Sequence, residues 1–200
     1  SDVLKTIQLL PGVSNAGEGS GGFNVRGGAA DQNLILFDEA IIYNSSHVFG
    51  LFSIFNSDAI KEIKLFKGGI PSSYGGRVSS VLDVYQKDGN YKEHVLNGGI
   101  GVISSRIMGE GPMKKNKGSY LIAIRGSYAH LFLKFTDIEN IAYFYDINTK
   151  SNYKLDKNNT LYFSGYFGRD KFKLSNTFSN TYGNSTFNLR WNNLINEKTF

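Results

Sequence analysis

Through most of the second half of the chain, hydrophobic and polar residues take turns one for one. In AYFYDINTKSNYKL, Tyr143, Tyr145, Ile147, Tyr153 and Leu155 fall on one side and Asp146, Asn148, Lys150, Asn152 and Lys154 on the other. In TLYFSGYFGRDKF, Leu161, Phe163, Gly165 and Phe167 oppose Tyr162, Ser164, Tyr166 and Asp170. STFNLRWNNLIN sets Phe187, Leu189, Trp191 and Ile195 against Asn188, Arg190, Asn192 and Asn196, and SYLIAIRGSYAHLF sets Tyr120, Ile122, Ile124, Gly126 and Tyr128 against Arg125 and Ser127. A period of two is the signature of a strand with two different faces. The pattern predicts five antiparallel strands, roughly His94 to Gly109, Ser119 to Leu133, Ile141 to Leu155, Thr160 to Asn176 and Ser185 to Asn196.

Strand length decides what those faces meet. Strands of soluble proteins run to about five or six residues, whereas a tilted strand crossing hydrocarbon needs roughly nine to eleven. These segments reach the second figure, so one face suits lipid and the other a watery lumen. A large soluble barrel or sandwich also alternates, but with shorter strands and its polar face outward; tyrosines at strand ends fit an interfacial girdle better. The tight polar segments PMKKNKG and DKNN read as periplasmic turns, and LKFTDIENI and SNTFSNTYGN as longer extracellular loops. Five strands cannot close a cylinder, and an open sheet would present unpaired backbone groups to lipid. The expectation is an incomplete barrel, belonging to a chain that extends beyond both ends of this one.

The first half has a different texture. Ser1 or Asp2 can cap a short helix carrying Val3, Leu4, Ile7 and Leu9 or Leu10, closed by Pro11-Gly12. Gly17, Gly19 and Gly22 satisfy GxGxxG, but a helix precedes and the strand FNVRG follows, the reverse of a dinucleotide site. NLILFDEAIIY reads as a hairpin turning at Asp38-Glu39; neighbouring acids on a strand point to opposite faces, which argues against an acid-base pair. A helical turn capped by Asn56 or Ser57 leads into a strand from Ile60 to Lys67, followed by the Gly-, Pro- and Ser-rich turn before VSSVLDV.

Composition narrows the classes. Fifteen Phe and twelve Tyr with only three Pro is a β-rich balance, and 40% hydrophobic content is enough for a core. The net charge of +5 arises from 22 basic and 17 acidic residues that are interspersed. MKKNKGS is the densest basic stretch and has no stacking partners, so nucleic acid is not an expected partner. The absence of cysteine removes disulfides and thiolate metal sites. His47, His94 and His130 lack ligand spacing, so no protein-bound metal, cofactor or catalytic residue is expected.

FNVRGG, NLILFDEAIIY and IKEIKLFKGGIPSSYGGRVSSVLDV, in that order, resemble the plug domain of TonB-dependent outer-membrane receptors. The resemblance departs from the family pattern at Asp38-Glu39, where Asp-Gly is usual, and at Lys67, where Arg is usual; the ending GGRVSSVLDV is similar to receptors of Bacteroidota. It implies an α+β plug over residues 1–88, a small mixed sheet with short helices, followed over 89–200 by the first of about twenty-two strands of an antiparallel transmembrane β-barrel. It implies a receptor in the Gram-negative cell outer membrane that takes up a scarce nutrient: a siderophore, a cobalamin, a glycan or a peptide. An adhesin or signal transducer on the same scaffold is the alternative. Implied partners are the TonB-ExbB-ExbD complex, reached through an upstream segment, outer-membrane lipid and a surface lipoprotein. Plug loops facing outward supply Gln32, Tyr43 and His47 as ligand contacts. Arg26 and Lys67 match the basic plug positions that pair with barrel glutamates, here expected beyond Phe200.

Overall fold

The computed structural model describes residues 2–17, 21–128, 130, 141–174 and 178–195. Six strands form one antiparallel sheet in sequence order: β9 (Val95–Ile100), β10 (Ser104–Lys114), β11 (Gly118–Ser127), β12 (Ile141–Lys154), β13 (Asn159–Leu174) and β14 (Phe178–Asn193). The register places Ile107 opposite Ile124, Ile124 opposite Ile147, and Phe163 opposite Leu189, so the apolar positions of neighbouring strands line up across the sheet. Leu96, Ile107, Ile122, Tyr145, Phe163, Leu189 and Trp191 are all exposed on that face. On the other face Asp146, Asn148 and Asn152 are buried and Arg125 is largely covered. Trp191 and Arg190 therefore point to opposite sides, as an outer lipid face and an inner polar face require.

Two expectations change. The segment expected as one strand, His94 to Gly109, is a hairpin: β9 ends at Ile100 and β10 begins at Ser104, with the Gly101 N–H donating to the Ser104 carbonyl. SNTFSNTYGN is no long loop, because β14 begins at Phe178 and pairs residue for residue with β13 up to Leu174. LKFTDIENI up to residue 140 and the far end of the strand expected to reach Leu133 lie outside the described residues.

The first half packs against the polar face. Helix α1 (Val3–Ile7) is N-capped by Asp2, whose carboxylate accepts from the Lys5 N–H at 3.2 Å. It is shorter than its pattern allowed, and Leu9 and Leu10 are exposed. Next come the hairpin β1 (Val13–Asn15) and β2 (Phe23–Val25), then β3 (Asn33–Phe37), β4 (Ala40–Ile41), β5 (Ser46–His47), β6 (Phe52–Ser53), β7 (Ile60–Phe66) and β8 (Ser80–Gln86). A four-stranded sheet runs β4-β3-β8-β7, with β3 and β8 parallel. Its core joins Phe23, Val25, Phe37, Phe55, Leu82 and Val84 to Val3, Leu4 and Ile7 of the helix. Phe37 meets Phe55 edge to face at 5.4 Å, the arrangement ring quadrupoles favour. Between β6 and β7 there is a turn, not a helix: the Asn56 side chain accepts from the Asp58 N–H at 3.1 Å.

The small-residue turn between β7 and β8 is held by one buried carboxylate. Tyr74 and Tyr85 both donate their hydroxyls to Asp83 Oδ2 at 2.7 Å. The bond to Asp83 raises the Tyr74 hydroxyl above its ordinary pKa, and burial followed by the same bond raises that of Tyr85 further. Both stay protonated donors across physiological pH, and the Tyr74 bond ties the turn to β8.

The two faces of the large sheet give a direct test. Phe163→Arg, on the outer face of β13, is expected to cost about 2–4 kcal/mol of barrel stability, measured by urea refolding of the full-length protein into bilayers. An effect below about 0.5 kcal/mol would mean that this face does not meet lipid.

Candidate functional site

What the fold builds is a seam between the small domain and the inner face of the strands, and its polar contacts fall in two rows. In the first, His47 of β5 enters the wall with 1% of its surface exposed. Its Nδ1 lies 2.7 Å from Asp170 Oδ2 and its Nε2 lies 3.1 Å from Asp146 Oδ2. The ring stacks on Phe144 at 4.3 Å, and the Tyr166 hydroxyl lies 3.1 Å from Nε2. Arg125 donates to Asp146 at 2.6 Å and to the Ser53 carbonyl at 2.7 Å, so it touches wall and plug together. Gly168 makes the fit: a Cβ there would stand 2.2 Å from the Tyr166 hydroxyl and 3.1 Å from His47 Cε1.

The hairpin that carries His47 is strained. Val48 and Phe49 have φ of 49° and 52°, a region that a β-branched residue almost never occupies. Such residues cost about 1–3 kcal/mol each and persist when their surroundings hold them. The wall does so here: the Val48 N–H donates to Asp170 Oδ1 at 2.8 Å, the Phe49 N–H donates to the Tyr182 hydroxyl at 3.3 Å, and the Phe49 ring meets Phe172 edge to face.

The second row centres on Asp38, 6% exposed in the tight β3–β4 turn. Its carboxylate accepts from the Gln86 N–H and side-chain amide, both at 3.0 Å, and from Lys150 of β12 at 3.1 Å. Lys150 also donates to the Gln86 carbonyl at 2.8 Å. Beside it, Asn188 donates to the Asp38 carbonyl at 2.8 Å and Arg190 pairs with Glu39 at 2.5 Å. Asp38 and Glu39 have φ of 46° and 72°, the left-handed angles that a two-residue hairpin turn needs and that Asp-Gly supplies with less strain. A cavity of about 30 Å³ between Glu39, Tyr85, Tyr162 and Arg190 has room for one water.

Burial works against the charged form of His47, but the hydrogen bonds it donates to Asp146 and Asp170, with the charges of both, outweigh it and leave the pKa raised above its ordinary value. The other residues anticipated as contacts are scattered. Tyr43 is 81% exposed. The Gln32 side chain accepts from the Ala29 N–H at 3.1 Å and so is occupied in its own turn. Lys67 donates to the Pro11 carbonyl at 2.8 Å, and Arg26 is exposed with its guanidinium beside Gly68. His47, expected at an outward-facing tip, is instead buried against the wall between the carboxylates of Asp146 and Asp170. The seam residues Asp146, Lys150, Asp170 and Arg190 were read only as a polar face; their signal was charge at inward positions. Among the described residues, no group of three His, Cys, Asp or Glu could hold a metal ion. No helix among the described residues is long and apolar enough to cross a membrane.

A compact domain with a mixed sheet, seated by buried ion pairs on the inner face of a lipid-facing antiparallel sheet, is the architecture of a plugged barrel. Residues 1–81 match the family model described as "TonB-dependent Receptor Plug Domain". No curated protein matches the chain. Among solved structures, the siderophore receptor PirA from Acinetobacter baumannii superposes with a TM-score of 0.62 at 18% identity, covering 87% of this chain and 30% of that one. The copper transporter OprC gives 0.68 at 11% identity, covering 98% and 32%. A mutant of the ferric enterobactin receptor from Pseudomonas aeruginosa gives 0.59 at 18%, covering 86% and 31%. At these identities the likeness is one of fold, and the chain spans about a third of the length of each receptor.

The two kinds of ion pair in the second row should behave differently. Lys150→Met, which leaves the Asp38 carboxylate buried without its cation, is expected to lower the stability of the seated plug by about 3 kcal/mol or more, read from its urea midpoint in the full-length protein. Glu39→Gly gives up a half-exposed pair worth about 0–1 kcal/mol and relieves a strained φ worth about 1 kcal/mol, so its midpoint should stay within about 0.5 kcal/mol of the wild type.

Proposed function

We propose that the chain is part of a TonB-dependent outer-membrane receptor that binds a scarce nutrient at the cell surface and admits it through the barrel. The observation that carries this reading is the seating of the plug: strained loops and buried charges meet complementary charges on the inner wall. A domain fixed in that way fills the lumen at rest and can be displaced without unfolding the barrel. We divide the chain at residue 88, with the plug before it and the barrel from 89 onward. The energy would come from TonB acting on a segment upstream of the plug sheet, and a surface lipoprotein is a further partner of the assembled receptor. The residues carry no catalytic role in this scheme.

Ligand contact falls to the exposed plug loop around Tyr43, whose ring is free to stack or to donate a hydrogen bond. Gln32 would contribute only by giving up its bond to Ala29, and His47 only by leaving the wall. Arg26 and Lys67 lie on a part of the plug that the six strands leave uncovered, where further strands would bring the acids to pair with them. The solved neighbours include siderophore receptors and a copper transporter, which puts metal chelates first among the cargo classes to try.

The test uses cells that produce the full-length protein, offered a panel of radiolabelled iron-siderophores, copper, cobalamin, oligosaccharides and peptides, with and without a functional TonB. The expected outcome is saturable surface binding of one class in both strains, accumulation only where TonB works, and several-fold weaker binding for Tyr43→Ala. Binding without TonB-dependent accumulation would replace transport by adhesion or signalling on the same scaffold.

A further inference from the structure

His47 is the only plug side chain among the described residues that links two wall strands through both ends of one ring, and its chemistry is unlike that of a Lys or Arg in the same place. Carboxylates only accept, so a ring with Asp170 on Nδ1 and Asp146 on Nε2 satisfies both when each nitrogen carries a proton. The charges agree. Asp146 and Asp170 bring two negative charges, Arg125 returns one positive charge, and a cationic His47 brings the cluster to zero. The neutral ring has a different set of partners already in place. Nδ1–H still donates to Asp170, and Nε2 then accepts from the Tyr166 hydroxyl at 3.1 Å, turning a lone pair toward Asp146.

We propose that the β5–β6 hairpin is a proton-held latch: a cationic His47 ring is fastened to both β12 and β13, and a neutral one keeps only its bonds to β13. Losing the hold on β12 leaves Asp146 to Arg125, which is itself bound to the Ser53 carbonyl of the same hairpin. Val48 and Phe49 are strained in the closed form, which favours opening once the hold on β12 is lost. The groups facing the latch come from every element packed on it: Arg125 on β11, Asp146 on β12, Asp170 and Tyr166 on β13, Tyr182 on β14, and Asp2 at the helix N-cap, which accepts from the Ser53 N–H at 2.7 Å. Only His47 has an ordinary pKa inside the physiological range.

The raised pKa of His47 fixes the direction. Its contribution to the closed form is fully present below the ordinary value of about 6.5 and is lost as pH rises through the higher value of the seated state. The latch therefore holds in mildly acidic surroundings and loosens in alkaline ones.

The experiment reads the opening directly. Ser46→Cys, next to His47 and 3% exposed, is placed in an otherwise thiol-free full-length protein in liposomes, and its alkylation rate is followed from pH 5.5 to 9 against the same cysteine in urea. The normalised rate should be flat at low pH and then rise by up to about tenfold for each unit separating the closed and open pKa values. Asp146→Asn should move that rise to lower pH. Tyr166→Phe, which removes the partner of the neutral ring alone, should match the wild type at pH 6 and label faster at pH 9. A normalised rate that is flat throughout, or a Tyr166→Phe effect equal at both ends, overturns the proposal. The purpose of the latch rests on the transport reading, but its measurement needs no ligand, no TonB and no uptake. Failure here would leave transport standing, and failure of uptake would leave the labelling result intact.

Discussion

A charge moved from water into the space between two protein surfaces must meet its opposite there, and the arrangement of this chain follows from that requirement. Desolvation of an ion costs several kcal/mol even after relaxation, so an unmatched seam would push plug and wall apart. Each buried ion here is answered from the other side: His47 by Asp146 and Asp170, Asp38 by Lys150. Local geometry bends to serve the match. Gly168 leaves the volume that the imidazole fills, and Asp38, Glu39, Val48 and Phe49 accept left-handed backbone angles to bring their groups to the wall.

The outer face obeys a different rule with the same strands. Its residues need only be apolar and in register, and nothing on the plug constrains them. Leu189 and Trp191 are exposed beside Arg190, whose guanidinium lies over the Tyr162 ring on the inner side. Alternation is what lets one strand satisfy both rules, and a one-residue slip would exchange them.

This division explains what could be read from the sequence. The face of each long strand was legible, because period two is a local property and β12 to β14 carry it without interruption. The plug motifs were legible for the same reason, since each fits within a few residues. The β9–β10 turn was not: Gly98-Gly99-Ile100-Gly101-Val102 has no polar break, and only pairing between the two strands reveals the bend. The role of His47 was hidden because its partners lie 99 and 123 residues away. Asp38-Glu39 was correctly a turn, but its cations, Lys150 and Arg190, stand more than a hundred residues on. A buried histidine between two acids and an exposed loop histidine have the same neighbours in sequence.

The two rows of the seam are spaced along the wall. Asp146 and Lys150 are four positions apart on β12, a rise of about 13 Å along the strand. Each row ties a different part of the plug, the β5–β6 hairpin in one case and the β3–β4 turn in the other. A load drawn along the strands and introduced at one end of the plug would strain the nearer tie first, and the second would take up the load once the first had parted. Rupture in sequence has a lower peak force than rupture of the same bonds in parallel. A seam built of strong ties can in that way yield to a modest, sustained traction while resisting a brief one.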